Sequence, residues 1–361
     1  MKRIIALLLL VVLTLTACSQ STVSQPQNTE PSVSGDSKEE TKGTEEGSKS
    51  DENDDFVLKI GYGGSLCEAP LHVAVEKGFF EEEGLKVEAI KLAPGTAFES
   101  LTAKKTDAGF ALLANLVQPI SNGLPAQITT GLHTGCDKVL VAKDSGIESV
   151  ADLKGKKIGV PSMNSSPIIF TKRVLADEGI GVSEKNLEVE FVVFAANDLA
   201  IALENGAIDA IAMNDPTATI AKNEYDLNVI ADSAIDEGYK DQYCCSAYVH
   251  QDIAEQYPEI AAKYTRAMQK ASAYVQENPD EVTKLQVENN WVAGDSEVNA
   301  EVIKTFNYIP AVTAAYDAFG ITAKKLQEIG MLDEQVDIDA LQKNSFVFLE
   351  GVPDTIESSG R

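Results

Sequence analysis

The segment FVLKIGYGGSLCEAPLHVAVEKGFF, residues 56–80, contains an apolar run, a Gly-rich turn and a second apolar stretch. The first run, residues 56–62, has the length and composition of a buried strand. Residues 69–77 predict a helix, because Pro70 suits the first helical turn and Gly78 suits a helix end. A strand followed by a helix is the repeating unit of parallel sheets. This segment therefore predicts an α/β protein.

The alternation of strands and helices occurs in two successive blocks of the chain. The first block continues with strands at residues 85–92 and 107–113 and a helix at 98–105. The second block repeats this order, with strands at 157–160, 188–194 and 207–213 and helices at 166–178 and 199–204. Short turn motifs recur at matching places in both blocks. We expect two similar lobes, each a mostly parallel sheet flanked by helices, although common α/β turns can also match by chance.

The remainder of the chain has too few predicted strands for a third lobe. A strand is predicted at residues 244–249, and a long helix at 257–277 is followed by further helical segments. We expect this tail to complete the first lobe. Lobe 1 then consists of residues 56–139 and 243–361, and lobe 2 of residues 140–242. The chain would cross between the lobes near Leu140 and Gln242.

The N-terminus has the pattern of an export signal. Lys2 and Arg3 precede an apolar run at residues 4–15, which is shorter than the roughly 20 residues that a membrane-spanning helix needs. Leu-Thr-Ala-Cys at residues 15–18 resembles a bacterial lipobox. This resemblance implies that residues 1–17 are removed, that Cys18 is lipidated, and that the protein is anchored to the outer face of the cell membrane. The alternative is an ordinary secretory signal with an incidental Cys18.

Residues 18–55 are rich in Ser, Thr, Gln, Glu and Lys and contain no aliphatic stretch. Such a segment cannot bury enough apolar surface to fold, so we expect a disordered tether after the lipidated cysteine. The full chain has a formal net charge of −26. Nucleic acid is a poor partner for so acidic a chain, since its phosphates require clustered Lys and Arg. The folded part is expected to be a monomer.

Three motifs, in this order, resemble one family of transport proteins. They are APLHVAVEKGFF at residues 69–80, LKGKKIGVP at 153–161 and Asn-Asp-Pro at 214–216. The chain resembles the sulfonate, nitrate and taurine class of ABC-transporter substrate-binding proteins, whose relatives include binders of thiamine precursors. The resemblance implies an α/β, two-lobed type 2 periplasmic-binding-protein fold, the venus flytrap. It also implies that the lobes do not catalyse a reaction, and that a small ligand is delivered to a membrane permease driven by an ATPase.

Candidate binding residues follow from the position of the predicted strands. In open parallel sheets, ligands bind beyond the carboxyl ends of the strands. The loops there contain no Arg or Lys, so a sulfonate or nitrate would lack a charged partner. The N-terminus of the helix near Ser166 offers N–H groups for an anion, although ordinary capping would use the same residues. The candidates are Gly64, Ser65, Leu66, Cys67, Glu68, Thr96, Asn115, His133, Thr134, Cys136, Ser162, Asn164, Ser165, Ser166, Asn214, Asp215, Tyr243, Cys244 and Cys245.

Four cysteines are predicted to lie in these cleft loops: Cys67, Cys136, Cys244 and Cys245. With His133 nearby, their thiolates would suit zinc or an iron–sulfur cluster. The alternatives are disulfides, which exported compartments permit, and buried inert thiols.

Aromatic side chains at strand ends, such as Phe98 and Phe110, could stack on a ligand ring but more commonly belong to a core. His72 is expected on the surface or in the core of the first helix, and Trp291 in tail packing.

Two other functions are compatible with these features. One is a surface metal-binding or iron–sulfur lipoprotein in which the cysteine site is itself the function. The other is an enzyme, because pyrimidine-precursor synthases of thiamine biosynthesis resemble the same fold, and some carry clustered cysteines with a histidine and iron. Export argues against the enzyme, as does the lack of a recognisable catalytic triad or phosphate-binding glycine motif in the sequence.

Overall fold

The computed structural model describes residues 56–93, 95–163 and 165–356. The predicted signal peptide, Cys18 and the tether lie outside these residues. Within the described part, no helix is both long enough and apolar enough to span a membrane. The strands are β1 Val57–Tyr62, β2 Lys86–Lys91, β3 Ala108–Leu112, β4 Ala126–Thr134, β5 Asp137–Ala142, β6 Lys157–Val160, β7 Val182–Ser183, β8 Asn186–Leu187, β9 Glu190–Val193, β10 Ala210–Asn214, β11 Leu227–Asp232 and β12 Tyr243–His250.

Helices follow most of these strands, as the alternating sequence pattern predicts. They are α1 Ala69–Glu76, α2 Phe79–Glu82, α3 Ala97–Thr102, α4 Leu113–Ser121, α5 Ser166–Asp177, α6 Leu199–Glu204, α7 Thr217–Glu224, α8 Gln251–Gln256, α9 Pro258–Glu277, α10 Pro279–Glu288, α11 Ser296–Ile303, α12 Thr313–Glu328 and α13 Ile338–Ser345. Helix α1 starts with Pro70 in its first turn, and Gly78 after it adopts φ +77°, which only glycine accepts readily.

Two five-stranded sheets form the architecture. The first has the order β2-β1-β3-β12-β4, and the second has the order β11-β5-β10-β6-β9. In the first sheet β12 runs antiparallel to both neighbours, and in the second sheet β5 does so. The other pairings within these two sheets are parallel. The predicted α/β class with two sheets is therefore confirmed, and both sheets are mixed.

Each sheet takes its antiparallel strand from a chain crossing. The first crossing joins β4 to β5 through Gly135 and Cys136, and the second joins β11 to β12. Leu140, near which the first crossing was expected, lies inside β5 and pairs with Ile211. The crossing comes earlier because Asp137 already pairs with Asn214 in the second sheet.

One apolar cluster packs beneath the first sheet, and another contains residues of both sheets, such as Ile128 and Val160. Beneath the first sheet, Leu58 and Ile60 of β1 pack with Leu71 of α1 and Tyr264 of α9. The tail also reaches the first sheet through single backbone bridges, such as the one between Gly131 and Ala311. The expected return of the tail to the first sheet is thus present.

We had expected all four cysteines to lie in loops, but the structure does not place them all there. Cys67 belongs to a short 3-10 helix, Leu66–Glu68, and Cys244 and Cys245 lie in β12. Among the four, Cys136 alone lies outside regular structure, at the first crossing. The loop prediction for Cys244 and Cys245 was wrong because both belong to the strand predicted at residues 244–249, which pairs on both sides as β12.

Candidate functional site

A cavity of ≈ 480 Å³ lies at the strand ends that the sequence predicted. Ser65 and Cys67 contribute from the loop after β1, and Asn115 from the start of α4 directly after β3. Ser162 lies beyond β6 and Asn214 ends β10, so residues of both sheets form the wall. This volume falls within the range of about 300–1,000 Å³ that is usual for small-molecule sites.

The cavity wall is uncharged and mostly apolar. None of the described residues that line it carries a charge at neutral pH, apart from any thiolate form of its cysteines. Phe98 and Phe110, for which sequence left both a ligand contact and a core role open, line the cavity and also pack against the core clusters. Its polar side chains are amides and hydroxyls, namely Ser65, Asn115, Gln118, Ser162, Ser165 and Asn214. An ion in this cavity would lose its hydration without gaining a charged partner.

Asn115 lines this cavity. Its Oδ1 atom is buried and has no hydrogen-bond partner among the described residues. Buried polar atoms are nearly always hydrogen-bonded, so an unpaired one in a cavity wall indicates the place of a missing partner. A ligand N–H or O–H donor would supply it.

Glu68, a predicted ligand residue, instead holds its own loop together. Its carboxylate accepts hydrogen bonds from the backbone N–H of Gly63 at 2.6 Å and of Ser65 at 2.6 Å, and also from that of Gly64. Burial raises the pKa of Glu68, and the three backbone donors oppose that rise. The carboxylate is saturated by these bonds, and its role is to place Ser65 and Cys67 at the cavity.

A smaller pocket of ≈ 40 Å³ adjoins the main cavity and shares Leu112, Ala114 and Ile169 with it. Asp137 and Ser166 line this pocket, and the Ser166 hydroxyl donates to the Asp137 carboxylate. Burial raises the pKa of Asp137 to about 7. The Ser166 hydroxyl at the start of α5 already donates to a carboxylate. This helix end is therefore a poor place for a second anion.

Arg173, like Asp137 and Tyr239, lines the smaller pocket and was missed by sequence reasoning. Its guanidinium lines the smaller pocket, and Nη2 donates to Gln242 Oε1 at 2.6 Å, which joins α5 to the second crossing. Arg173 lies two turns into α5, away from any strand-end loop. Its sequence position is typical of a helix surface, so no local signal distinguished it.

The four cysteines form a single cluster of free thiols. Thiol hydrogen bonds connect Cys136 with Cys67, Cys244 and Cys245. The ligating atoms of Cys67, His133 and Cys245 lie within 4.8 Å of one another, as do those of Cys136, Asp137 and Cys244. The hydrogen bond with Cys136, together with burial, raises the pKa of Cys67 to about 11 in this metal-free arrangement. Their clustering was a sequence prediction, and the geometry agrees with it.

The structure sorts the predicted binding residues into three groups. The main cavity is lined by Ser65, Cys67, Asn115, Ser162, Ser165, Asn214 and Cys245. The smaller pocket is lined by Ser166, Tyr243 and Cys244. Neither wall includes Gly64, Leu66, Glu68, Thr96, His133, Thr134, Cys136 or Asp215. Asn164 lies outside the described residues. Asp215, for example, pairs with the buried Lys138 instead.

Comparison with known proteins shows which proteins this chain resembles. Residues 68–282, more than half of the chain, match the profile of the family described as NMT1/THI5 like. Riboflavin-binding protein RibY of Chloroflexus aurantiacus is 24% identical over 96% of this chain and 97% of its own length. The 4-amino-5-hydroxymethyl-2-methylpyrimidine phosphate synthase of Aspergillus parasiticus is 29% identical, over 58% of this chain and 64% of its own length.

Solved structures share the fold. The periplasmic aliphatic sulphonate binding protein SsuA from Escherichia coli superposes with a TM-score of 0.65 at 19% identity, covering 84% of this chain and 94% of its own. Such structural matches confirm the predicted periplasmic-binding-protein fold. At this identity they carry no information about the ligand.

Proposed function

The chain belongs to the NMT1/THI5-like family, and from this premise we propose that it is a solute-binding protein of an ABC importer. It captures a small, uncharged ring compound in the 480 Å³ cavity and delivers it to a membrane permease. The lobes themselves do not catalyse a reaction.

The uncharged cavity wall is the observation that carries this proposal. Phe98 and Phe110 offer aromatic faces on which a ring can stack, and Asn115 Oδ1 offers an acceptor for a ring N–H or exocyclic amine. A sulfonate or nitrate would need an Arg, a Lys or convergent N–H donors, and the wall supplies no cationic side chain. The names of two relatives, a riboflavin-binding protein and a pyrimidine phosphate synthase, also point to ring compounds.

Closure of two lobes over the ligand is the proposed mechanism. Lobe 1, residues 56–136 and 243–361, and lobe 2, residues 137–242, would move about the two chain crossings. A ligand that contacts both walls binds the closed form better, and this differential affinity shifts the population towards closure. The permease would then recognise the closed form.

Export and lipid anchoring complete the proposal. Cleavage after residue 17 and lipidation of Cys18 would hold the folded lobes at the outer face of the membrane by the tether of residues 18–55. Replacing Cys18 by Ser should release the protein from the membrane fraction into the soluble extracellular fraction. Continued membrane association of Cys18→Ser would contradict the lipid anchor.

Calorimetric titration tests the choice of ligand. The probes are 4-amino-5-hydroxymethyl-2-methylpyrimidine, riboflavin, methanesulfonate and nitrate. We expect heat of binding with a ring compound and none with the two anions. The Asn115→Ala variant should bind that compound about 10-fold more weakly, because it lacks the acceptor. Asn122→Ala is the matched control, because Asn122 is exposed and caps the C-terminal end of the same helix.

Two results would overturn the proposal. Binding of nitrate or methanesulfonate in preference to every ring compound would show that the cavity recognises charge by other means. Formation of a pyrimidine phosphate by the purified protein would instead identify it as an enzyme resembling its Aspergillus parasiticus relative.

A further inference from the structure

Three thiols and one imidazole converge directly behind the ligand cavity. Cys67 stands in the 3-10 helix after β1, His133 in β4, Cys136 at the first crossing and Cys245 in β12. All four residues are buried, with at most 3% of any one exposed. We propose that Cys67, His133, Cys136 and Cys245 form a tetrahedral site for one Zn²⁺ ion. Cys67 and Cys245 also line the ligand cavity, so the site adjoins it, but the proposal does not depend on the function proposed above.

The tautomer of His133 supports metal binding. Its Nδ1 atom lies 3.2 Å from the carbonyl oxygen of Thr134. A carbonyl oxygen can only accept, so Nδ1 carries the proton and Nε2 carries the lone pair. A metal-ligating histidine is usually oriented in this way, with its other ring nitrogen donating to a backbone carbonyl.

The Nε2 atom of His133 is buried and has no N–H or O–H donor beside it within the described part of the protein. The ring interacts with the Cys67 thiol, which is a weak hydrogen-bond donor. Phe306 stacks on the ring at a centroid distance of 5.3 Å and Tyr308 packs on it at 4.8 Å, so the imidazole cannot turn towards water. The imidazole is thus fixed with one ring nitrogen within 4.8 Å of the Cys67 and Cys245 sulfur atoms, close enough for the three residues to hold one cation.

Distances favour one ion over a cluster. Zn–S bonds of about 2.3 Å in a tetrahedron place thiolate ligands roughly 3.8 Å apart. The ligating atoms of Cys67, His133 and Cys245 lie within 4.8 Å of one another, which requires only a small contraction. A four-iron cluster separates its thiolates further, because each one binds a different iron atom.

Cys136 connects the two groups of possible ligands. It lies in the second group, with Asp137 and Cys244, and its thiol also hydrogen-bonds with Cys67 and Cys245 of the first. A rotation of its side chain would make Cys136 the fourth ligand. Three thiolates and one imidazole leave no open position, which is typical of a structural zinc site. On binding, the three thiols release their protons to solvent and Zn²⁺ takes their place. The ion would tie the first crossing to three separate segments of the first lobe.

Cys244 provides a matched control. It belongs to the cluster and lines the smaller pocket, but it lies in the other group of possible ligands, with Cys136 and Asp137. If the site is formed as proposed, Cys244→Ser keeps the metal. Loss of metal from Cys244→Ser together with retention in His133→Gln would assign the ion to that other group and overturn the proposal.

The experiment uses the mature chain, purified with a thiol reductant and without added chelator. Metal analysis should find about one zinc ion per chain in the wild type and in Cys244→Ser. Titration with Co²⁺ should produce the visible absorption of tetrahedral thiolate coordination in both proteins. Cys136→Ser and His133→Gln should bind Zn²⁺ at least about 100-fold more weakly, since loss of a ligand exceeds the effect of an outer-shell change.

Thermal unfolding tests the proposal even if a variant folds poorly. Adding Zn²⁺ to chelator-treated wild type should raise its Tm, whereas the Tm of His133→Gln should not respond. Intact mass showing disulfides among the four cysteines of protein taken directly from cells would overturn the proposal. Iron with acid-labile sulfide in anaerobically purified protein would also overturn it, because the site would then hold a cluster.

Discussion

The imidazole ring of His72 stacks on the indole ring of Trp291, with their centroids 4.6 Å apart and their planes inclined by 28°. Gln286 donates from Nε2 to His72 Nδ1 at 2.9 Å if the histidine carries its proton on Nε2. The ring is completely buried, and this burial lowers the pKa of His72 to about 3. The α1 helix is therefore joined to the tail by a neutral histidine, which agrees with the core alternative expected from sequence.

His72 should make stability depend on acid. Its pKa lies below the value of 6.5 for an unfolded histidine, so below pH 6.5 the unfolded chain binds a proton that the native state does not. The contribution of His72 to the free energy of unfolding is fully present above pH 6.5. It decreases by about 1.4 kcal/mol for each pH unit as the pH falls from 6.5 to 3. Urea unfolding of wild type and His72→Gln between pH 7.5 and 4.5 measures the difference. Parallel pH profiles for the two proteins would contradict the prediction.

The buried Lys138 should contribute far more to stability than its exposed neighbour Lys143. Lys138 pairs with Asp215 and lies 3.6 Å from Asp232, and its side chain is 5% exposed. Lys138→Met leaves two buried carboxylates without their cation, and we expect the free energy of unfolding to fall by about 3–5 kcal/mol.

Lys143→Met is the matched control for that change. Lys143 follows the same strand and pairs with Asp226, but both side chains are more than half exposed. Its loss should lower the free energy of unfolding by about 0–1 kcal/mol. Urea unfolding at pH 7 checks both variants, and equal losses would show that the Lys138 network is effectively solvated.

The fold was predictable from sequence because its signals are local. The strand and helix of residues 57–76 follow from an apolar run, Pro70 and Gly78, and the same periodicity recurs in lobe 2. The antiparallel strands β5 and β12 were harder to assign. Their direction depends on which sheet the chain enters, and this is set by long-range pairing, such as that of Asp137 with Asn214.

The candidate site was predictable only to the level of loops. Ser65, Asn115 and Asn214, which the strand ends indicated, line the cavity, because the sheet alone determines where those loops lie. Side-chain direction is set by contacts that the sequence does not display. Glu68 therefore turns back on its own loop, and Arg173 reaches the smaller pocket from the body of a helix.

Gly135 should be intolerant of a side chain. It adopts φ +73° at the first crossing, and a Cβ there would lie 2.6 Å from Cα and Cβ of Ala234 in the second crossing. Gly146 has the same φ, and a Cβ added there would have no atom within 4 Å. Gly146→Ala therefore measures the cost of the backbone conformation alone. We expect Gly135→Ala to lower the free energy of unfolding by about 1–3 kcal/mol more than Gly146→Ala. Equal losses in urea unfolding would mean that the crossings separate easily.

The aromatic wall of the cavity should contribute directly to ligand affinity. Phe98 lines the cavity and packs edge-on against Tyr248, at a centroid distance of 6.4 Å. Phe98→Leu keeps an apolar side chain but removes the ring, so the loss should be the stacking energy alone, about 0.5–1.5 kcal/mol. This energy corresponds to roughly 2- to 13-fold weaker binding of a ring ligand in calorimetric titration. Phe348→Leu, a change at a residue that is 64% exposed and outside the cavity, is the control. If Phe98→Leu bound the ligand as tightly as the control, the ring would not be a contact, and recognition would depend on Asn115 and the opposite wall.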